Sequence, residues 1–515
     1  MIQPKRIGLG DYTPDLSGFA AQNTLLKAEN TLPAADGYRS MPSFEAMDET
    51  VLGGRPLGAI GGVDPGAVGF NFAGTSDALY RIAGNGTEAV TRDAGAYSVT
   101  GAERWEFVQR NDVVIAATYG EPMQYVRLGT PGKFQDMDVV EDGFTPPRGR
   151  HIAAVRTHIV LGNCFDGIYG AVPNSIWWSS INSGIHWFKP GGDLAAADQS
   201  DRQELAGNGG WVQAVVGGGE VGAVFQEKAI WRMDYRGGSI IYSLTKVEPD
   251  RGCLIPGLAI AFGRNVFYLA EDGFYLFDYR TSQPIGKDRV NATFFSDWDS
   301  DYPDRVYGIA DPDSTQIWVV YPGAGNTDGR PNKALVYDWA LNKWSHGSFE
   351  VEIICQSITP SQFSVDFDAG GAGDEDIDPD PEDNLSYDTD KPEAAALTLG
   401  GYDSTFKIGK FDGAALVATF ETGDIAVTPG RHSLVSNVRP IVEGQDRVKV
   451  AIAPKMRSGK LLPYTSWAGL DSQGTCNVRR DARYHRLKMQ VGETNFTGFT
   501  RAAALEVNYK PTGTR

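Results

Sequence analysis

Val266-Phe-Tyr-Leu-Ala270, then Glu271-Asp272-Gly273, then Phe274-Tyr-Leu-Phe277 is a strand, a tight turn and a second strand read directly from the residues. Both runs are apolar and rich in aromatics, and the acidic, glycine-closed turn between them is the signature of a hairpin. Working outward, the same unit recurs. Ala67–Ala73 is followed by Ala78–Ile82, Val113–Tyr119 by Met123–Leu128, and His158–Gly162 by Ser175–Ser179. Val221–Phe225 is followed by Ala229–Met233, and Ile317–Tyr321 by Ala334–Tyr337. Residues at the same place in the second strands, Tyr80, Tyr125, Trp178, Trp231, Tyr275 and Val336, stand 45, 53, 53, 44 and 61 positions apart. Several units close on Asp and an aromatic, as in Asp234-Tyr235, Asp278-Tyr279 and Asp338-Trp339. Ala396–Gly400 with Thr405–Gly409 offers a seventh unit.

Periods of this length hold about four strands and point to propeller blades. A single four-stranded sheet cannot cover both of its faces, and radial packing buries them while leaving only short edges. Ordinary antiparallel sandwiches also present hairpins, but the unit persists from residue 67 to residue 337. The expected fold is mainly β: a β-propeller of six or seven blades with a second, smaller β-rich C-terminal module. The expected divisions are an extended N-terminal strap over 1–45, the propeller over 46–419 with an acidic loop insert at 364–393, and the C-terminal module over 420–515. Pro33, Gly37, Tyr38 and Pro42 favour a turn-punctuated, extended path for the strap.

Composition narrows the function. The chain has 515 residues, 62 of them glycine, and an apolar fraction of 41 %, which suits a folded chain of short strands and excludes a disordered one. With 47 Lys and Arg against 65 Asp and Glu, the formal charge is −18, unsuited to gripping nucleic acid over the whole surface. No run of 18 apolar residues occurs, so no membrane-spanning segment is expected. The first residues carry two positive charges with no apolar stretch behind them, so no secretion signal is expected either. Cys164, Cys253, Cys355 and Cys476 lie far apart without a CxxC pair, as reduced thiols do.

The charge is unevenly placed. Residues 366–390 hold 11 carboxylates and no base, the composition of a solvated loop. Asp376, Asp378 and Asp380 begin like a calcium loop, but Pro381 and Tyr387 stand where the glycine and the closing glutamate belong. Residues 420–515 run the other way, with 15 Lys and Arg against 8 Asp and Glu. Arg483–Val491 alternates Tyr484, Arg486 and Lys488 against His485, Leu487, Met489 and Val491, as a half-buried strand does. The basic cluster Arg479, Arg480, Arg483, Arg486 and Lys488 is either a contact patch or the wet face of that strand.

The chemical motifs are few. GxxxxGK[ST], HExxH and GxSxG are absent, and His151, His158, His186, His346, His432 and His485 are scattered. Ser180-Ile-Asn-Ser-Gly-Ile-His-Trp187 approximates the S-x-D-x-G-x-[TS]-W turn of sialidase-like propellers, a structural hairpin that says little about catalysis. No catalytic, cofactor-binding or metal-binding residue is assigned, and no cofactor or enzymatic activity is expected.

Three stretches resemble one family. Ala28–Phe44 (AENTLPAADGYRSMPSF) looks like the N-x-x-P-x-x-x-G-Y-R-x-x-P-G/S-F segment of phage tail proteins, and Asn174–Asn182 (NSIWWSSIN) resembles their R/N-v-W-W-S-D-I-x-D segment. Ile255–Phe277, together with Ala334–Trp344, is similar to their later blades. The family is the tail nozzle, or packaged-DNA stabilisation, protein of short-tailed bacteriophages. Ser180 stands where the family usually has Asp, and the acidic insert is a second departure. The resemblance implies a virion structural protein, assembled in the host cytoplasm into a homohexameric ring in the tail. That ring would retain the packaged genome and conduct it outward. It implies as partners the portal-adaptor ring, the tail fibre, spike or needle proteins, and double-stranded DNA passing through the lumen without sequence-specific contacts. An acidic wall would repel phosphate and let the duplex slide. The alternative is a propeller-fold tail protein that binds or hydrolyses a host surface glycan, which would need carboxylates converging at one end of the channel.

Overall fold

The computed structural model describes residues 3–21, 23–64, 66, 68–83, 86–130, 132–181, 183–358, 396–456, 461–494 and 496–513. Its core is a seven-bladed β-propeller, built of six four-stranded sheets and four strands of a nine-stranded one. Blade 5 contains the hairpin quoted first: Val266 pairs with Phe277 and Ala270 with Gly273. Gly273 takes φ +133°, and a Cβ there would lie 1.7 Å from the Asn291 amide nitrogen. Phe267, Tyr268, Phe274 and Phe277 are buried in it.

In every blade the recognised hairpin turns out to be the second and third strands. A short inner strand precedes it and an outer strand follows. The inner strands are Gly58–Val63, Glu106–Arg110, Arg148–Val155, Val212–Gly217, Ala259–Phe262, Tyr307–Ala310 and Ile353–Ile358. Each neighbours the next, and the last returns to the first, which closes the ring. Two of the Asp residues that end units, Asp278 and Asp338, hold the turn to the outer strand, while Asp234 pairs with Arg232 inside its strand. The Asp278 carboxylate, for example, accepts the N–H groups of Arg280 at 2.9 Å and Thr281 at 2.7 Å, and these hold its pKa below the ordinary value.

Adjacent inner strands pack closely against one another. A Cβ at Gly217 would sit 1.7 Å from the Ala154 carbonyl oxygen, and one at Gly58 would sit 1.9 Å from that of Trp105. Arg104 then bridges the face on which the inner strands begin. From the blade 2 side it donates to the carbonyls of Asp304 (3.0 Å), Pro303 (3.3 Å) and Val306 (2.8 Å), and its guanidinium stacks 4.5 Å from the Tyr307 ring. Arg104→Ala should therefore lower propeller stability by about 2–3 kcal/mol, the scale of hydrogen bonds to a charged donor plus a cation–π contact. Urea unfolding of the variant checks this; a change near zero would mean that solvent replaces the bridge.

The seventh blade is closed by chain from the far N terminus. Ile353–Ile358, Leu397–Tyr402 and Lys407–Lys410 are completed by Glu45–Val51 as the outer strand. The acidic insert at 364–393 lies outside the described residues; Ile358 and Leu397 on either side of it are paired.

Residues 1–45 were expected as an extended strap, and the described part of this segment instead supplies four strands to the second module. Gln3–Gly8 pairs with Arg501–Gly513, and the hairpin of Thr31–Ala34 with Gly37–Ser40 joins the same strand, beyond which His432–Glu443 and Arg480–Ala482 continue the sheet. Leu25–Glu29 lies between the outer strand of blade 6, Lys343–Ser348, and Ala418–Thr422, Tyr484–Val491 and Val448–Lys455 follow in the facing sheet. The physical reason is pairing: two neighbouring backbone edges satisfy the N–H and C=O groups that an unpaired strap would leave to water. The last propeller strand ends at Lys410 and the module resumes at Ala418, a few residues before the expected boundary at 419. A single core runs from Leu25, Phe420, Met489 and Leu505 of the sandwich into Phe267, Phe274 and Tyr337 of blades 5 and 6.

Candidate functional site

Three places gather chemically notable residues. The first is the joint between propeller and sandwich. Asn30, in the left-handed region at φ +58°, receives its position from both sides. Its N–H donates to the His346 carbonyl at 2.7 Å, its amide nitrogen donates to the Val417 carbonyl at 3.0 Å, and its amide oxygen accepts the Ser348 N–H at 2.9 Å. Gly37, at φ +145°, makes the hairpin turn, where a Cβ would lie 2.1 Å from the Ala502 carbonyl oxygen. Tyr38 is fully buried and donates to the carbonyls of Gly10 at 3.0 Å and Trp344 at 3.4 Å. Trp344 in turn packs against Tyr337, Phe274 and Phe267 at 4.6, 5.3 and 6.2 Å between ring centroids.

The second place is the basic region of the sandwich. Tyr484–Val491 alternates as expected, with His485, Leu487, Met489 and Val491 buried. The five basic residues do not form one patch. Arg486 is spent inside the module on Asp424 at 2.9 Å and Glu421 at 3.2 Å. Asp424, wholly buried, also takes Lys455 at 2.7 Å. Lys488 lies over Trp467 and Tyr464. Arg479, Arg480 and Arg483 remain exposed, with no ion pair among the described residues.

The third place is a cavity of about 180 Å³ on the propeller face that Arg104 bridges. His151, 3 % exposed, opens blade 3, and its Nδ1 lies 2.8 Å from Glu106 Oε1 of blade 2. The other oxygen of Glu106 accepts the Ile152 N–H at 3.1 Å. Nε2 of His151 has no partner among the described residues. Arg150 lines the cavity beside it, 4.7 Å from the Tyr119 ring. Sequence reading missed this pair because Glu106 and His151 are 45 positions apart, one blade period. The available signal was the basic run Arg148-Gly-Arg150-His151 in an otherwise acidic body.

Elsewhere the reactive groups are sealed. All four cysteines are buried free thiols; burial pushes Cys164, Cys253 and Cys355 up to about 12 and Cys476 to about 11, far from the thiolate a nucleophile needs. Gly184 of the sialidase-like turn packs against Ile115 and Ile159, and Trp187 is fully buried, so the turn is structural; Asn182 lies outside the described residues. Among the described residues there is no cluster of three His, Cys, Asp or Glu able to hold a metal, and no helix long and apolar enough to cross a membrane.

No family model and no curated protein matches the chain. Among solved structures it is similar to virginiamycin B lyase from Staphylococcus aureus, with 12 % identity over 61 % of this chain and 93 % of that one and a TM-score of 0.33. It is also similar to the WD40 domain of Neurospora crassa Pan2 (10 %, 63 % and 90 %, TM-score 0.32). A third is YCF48 bound to D1 peptide (10 %, 60 % and 87 %, TM-score 0.31). These proteins differ in function, and none of the likenesses speaks to what this chain does.

Proposed function

We propose that the chain is a structural subunit of a short phage tail, one of a ring of six copies forming a nozzle that retains the packaged genome and conducts it outward. The observation that carries this reading is the joint. Ala28–Phe44, Ile255–Phe277 and Ala334–Trp344, three of the segments that resemble nozzle proteins, meet there through Asn30, Gly37, Tyr38, Phe274 and Trp344. The similar residues thus belong to one physical device, which fixes the sandwich on blade 6. A rigid angle between two modules is what a repeating wall element needs, since closed rings require each copy to present the same two faces.

In this reading the DNA passes between copies. Arg104 crosses the mouth of the propeller from blade 2 to the carbonyls of Pro303, Asp304 and Val306 before blade 6, whereas B-DNA's major groove alone is about 12 Å wide. The acidic body would face a conduit, and the exposed Arg479, Arg480 and Arg483 would meet an acidic surface of the next copy or of the portal adaptor. The fibre, spike or needle proteins would take the remaining end.

Light scattering after size exclusion, with the protein alone and with its portal-adaptor ring, tests the proposal; a six-fold ring in either sample is expected, and a monomer in both would overturn it. Reversing Arg479, Arg480 and Arg483 to Glu should leave the monomer folded, because none has an internal carboxylate among the described residues. The same change should slow assembly about tenfold or more at low salt. Raising salt from about 0.15 M to 0.5 M should slow the parent likewise, as the screening length falls from about 8 Å. Wild-type assembly by the triple variant would reduce the three arginines to a solvated face.

A further inference from the structure

We propose that the cavity around His151 binds a small hydroxylated carboxylate of the acidic-sugar class, a hexuronate. The proposal does not depend on ring formation. Three groups supply what such a ligand needs, two of them neighbours on the inner strand Arg148–Val155 and the third on the turn before Glu106–Arg110. His151 lines the cavity with Nδ1 committed to Glu106, and its buried Nε2 has no partner among the described residues. A buried ring nitrogen in that state costs about 1–3 kcal/mol unless something bonds to it. In the tautomer that donates its Nδ1–H to the Glu106 carboxylate, Nε2 is an acceptor for a ligand hydroxyl.

Arg150 supplies the charge. Its guanidinium lies over the Tyr119 ring, 4.7 Å from the centroid, and has neither an ion pair nor a side-chain hydrogen bond among the described residues. A stacked, unpaired guanidinium is preorganised for two parallel bonds to a carboxylate. Glu103 contributes a second acceptor: its Oε2 takes the Thr118 hydroxyl at 3.3 Å and the Gly120 N–H at 3.1 Å, and Oε1 makes no such bond. Arg104, by contrast, is engaged with three backbone carbonyls.

The balance of charge selects the ligand. Glu103, Glu106 and Asp304 face Arg104 and Arg150 around the cavity, so three carboxylates oppose two guanidiniums. A dianionic phosphate would enter against that excess, whereas a monoanion carrying hydroxyl donors satisfies both Arg150 and the spare acceptors. At about 180 Å³ the space is below the roughly 300–1,000 Å³ of drug-sized sites, which limits it to a single ring.

Calorimetric titration of the full chain with D-glucuronate, D-glucose and inorganic phosphate tests this. Saturable glucuronate binding with a Kd of about 1 mM or tighter is expected, with glucose and phosphate at least about tenfold weaker. Arg150→Met, which keeps the stack on Tyr119, should fold normally and lose about tenfold or more in affinity. His151→Gln should weaken binding too, and if it fails to fold, Arg150→Met alone decides. Absence of saturable glucuronate binding, phosphate binding as tight as glucuronate, or parental affinity in Arg150→Met would each overturn the assignment. Because the titration reads the chain in whatever oligomer it forms, failure here leaves the nozzle reading untouched, and failure to form rings leaves the site untouched.

Discussion

Glu352→Ala is expected to destabilise the propeller by about 3–5 kcal/mol, the cost of stranding a buried cation. Glu352, 2 % exposed, opens blade 7 and is gripped by two arginines, by Arg305 Nη2 at 2.6 Å and by Arg330 Nε at 2.6 Å. The two arginines are not equivalent. Arg330 also reaches Asp328 and Glu350 and can turn to water, whereas Arg305 is buried and has only Glu352 as a carboxylate partner among the described residues. Burial, with the Arg55 charge nearby, already pulls the Arg305 guanidinium below its ordinary pKa. Removing Glu352 leaves that charge uncompensated between blades 6 and 7. Urea unfolding should show the loss, and the double variant Arg305→Leu/Glu352→Leu should recover most of it, since removing both charges also removes their desolvation cost. A loss below about 1 kcal/mol in the single variant would mean that the pair is screened as a surface pair is.

Acidification from pH 7 to pH 5 is expected to cost about 4 kcal/mol, from two buried imidazoles alone. His158 sits against the Tyr242 hydroxyl at 2.9 Å, and His485 bonds the Ser433 carbonyl through Nε2 at 3.0 Å. Both are fully buried, and burial brings each down to about 4; for His158 the Arg110 and Arg156 charges add to it. The unfolded chain, with histidines near 6.5, binds protons that the folded chain refuses, so stability is complete above that value and falls as pH drops toward 4. Each group contributes about 2 kcal/mol by pH 5. Denaturation series at the two pH values measure the difference. A variant with both histidines replaced by Asn should start less stable but show a much flatter limb between pH 7 and pH 5. An equally steep limb would assign the acid sensitivity to other groups.

How much of this was legible follows from where each strand sits. The second and third strands of a blade are covered on both faces, so they read as apolar runs such as Ile317–Tyr321 and Val266–Ala270. The inner strands carry small or mixed residues, as in Gly-Ala-Ile-Gly-Gly-Val and Glu-Phe-Val-Gln-Arg, because neighbouring backbones crowd them at the axis. The outer strands, such as Gln135–Asp136 and Ser282–Pro284, are short and polar. Neither kind has a periodic signal, and the hairpins alone left the count of blades open between six and seven. The use of 3–40 as sandwich strands was hidden for another reason. Their partners in the sandwich lie hundreds of positions away in the chain, as Leu25 with Thr422, Tyr38 with Ala502 and Gln3 with Tyr509 show, and no local pattern announces so distant a neighbour. Likewise the basic cluster was visible as composition, but Arg486 belonged to Asp424, a carboxylate 62 positions earlier.

The chain departs the sandwich at Ser40, travels the whole circuit of blades, and comes back at Ala418. During synthesis this path imposes an order of events. A ribosome adding roughly 5–20 residues per second needs on the order of a minute between making Gln3–Gly8 and making Arg501–Gly513. Through that interval Gln3–Gly8 has no partner edge, and the hairpin of Thr31–Ala34 with Gly37–Ser40 lacks the edge it will join at Ala502. The seventh blade can close on Glu45–Val51 as soon as Lys410 emerges; the sandwich must wait for the last strand. Folding therefore finishes only once Arg501–Gly513 has been made, and ribosomes stalled before it should release chains whose blades are built but whose Gln3–Gly8 strand is bare, ready substrates for chaperones and for pairing with the wrong copy.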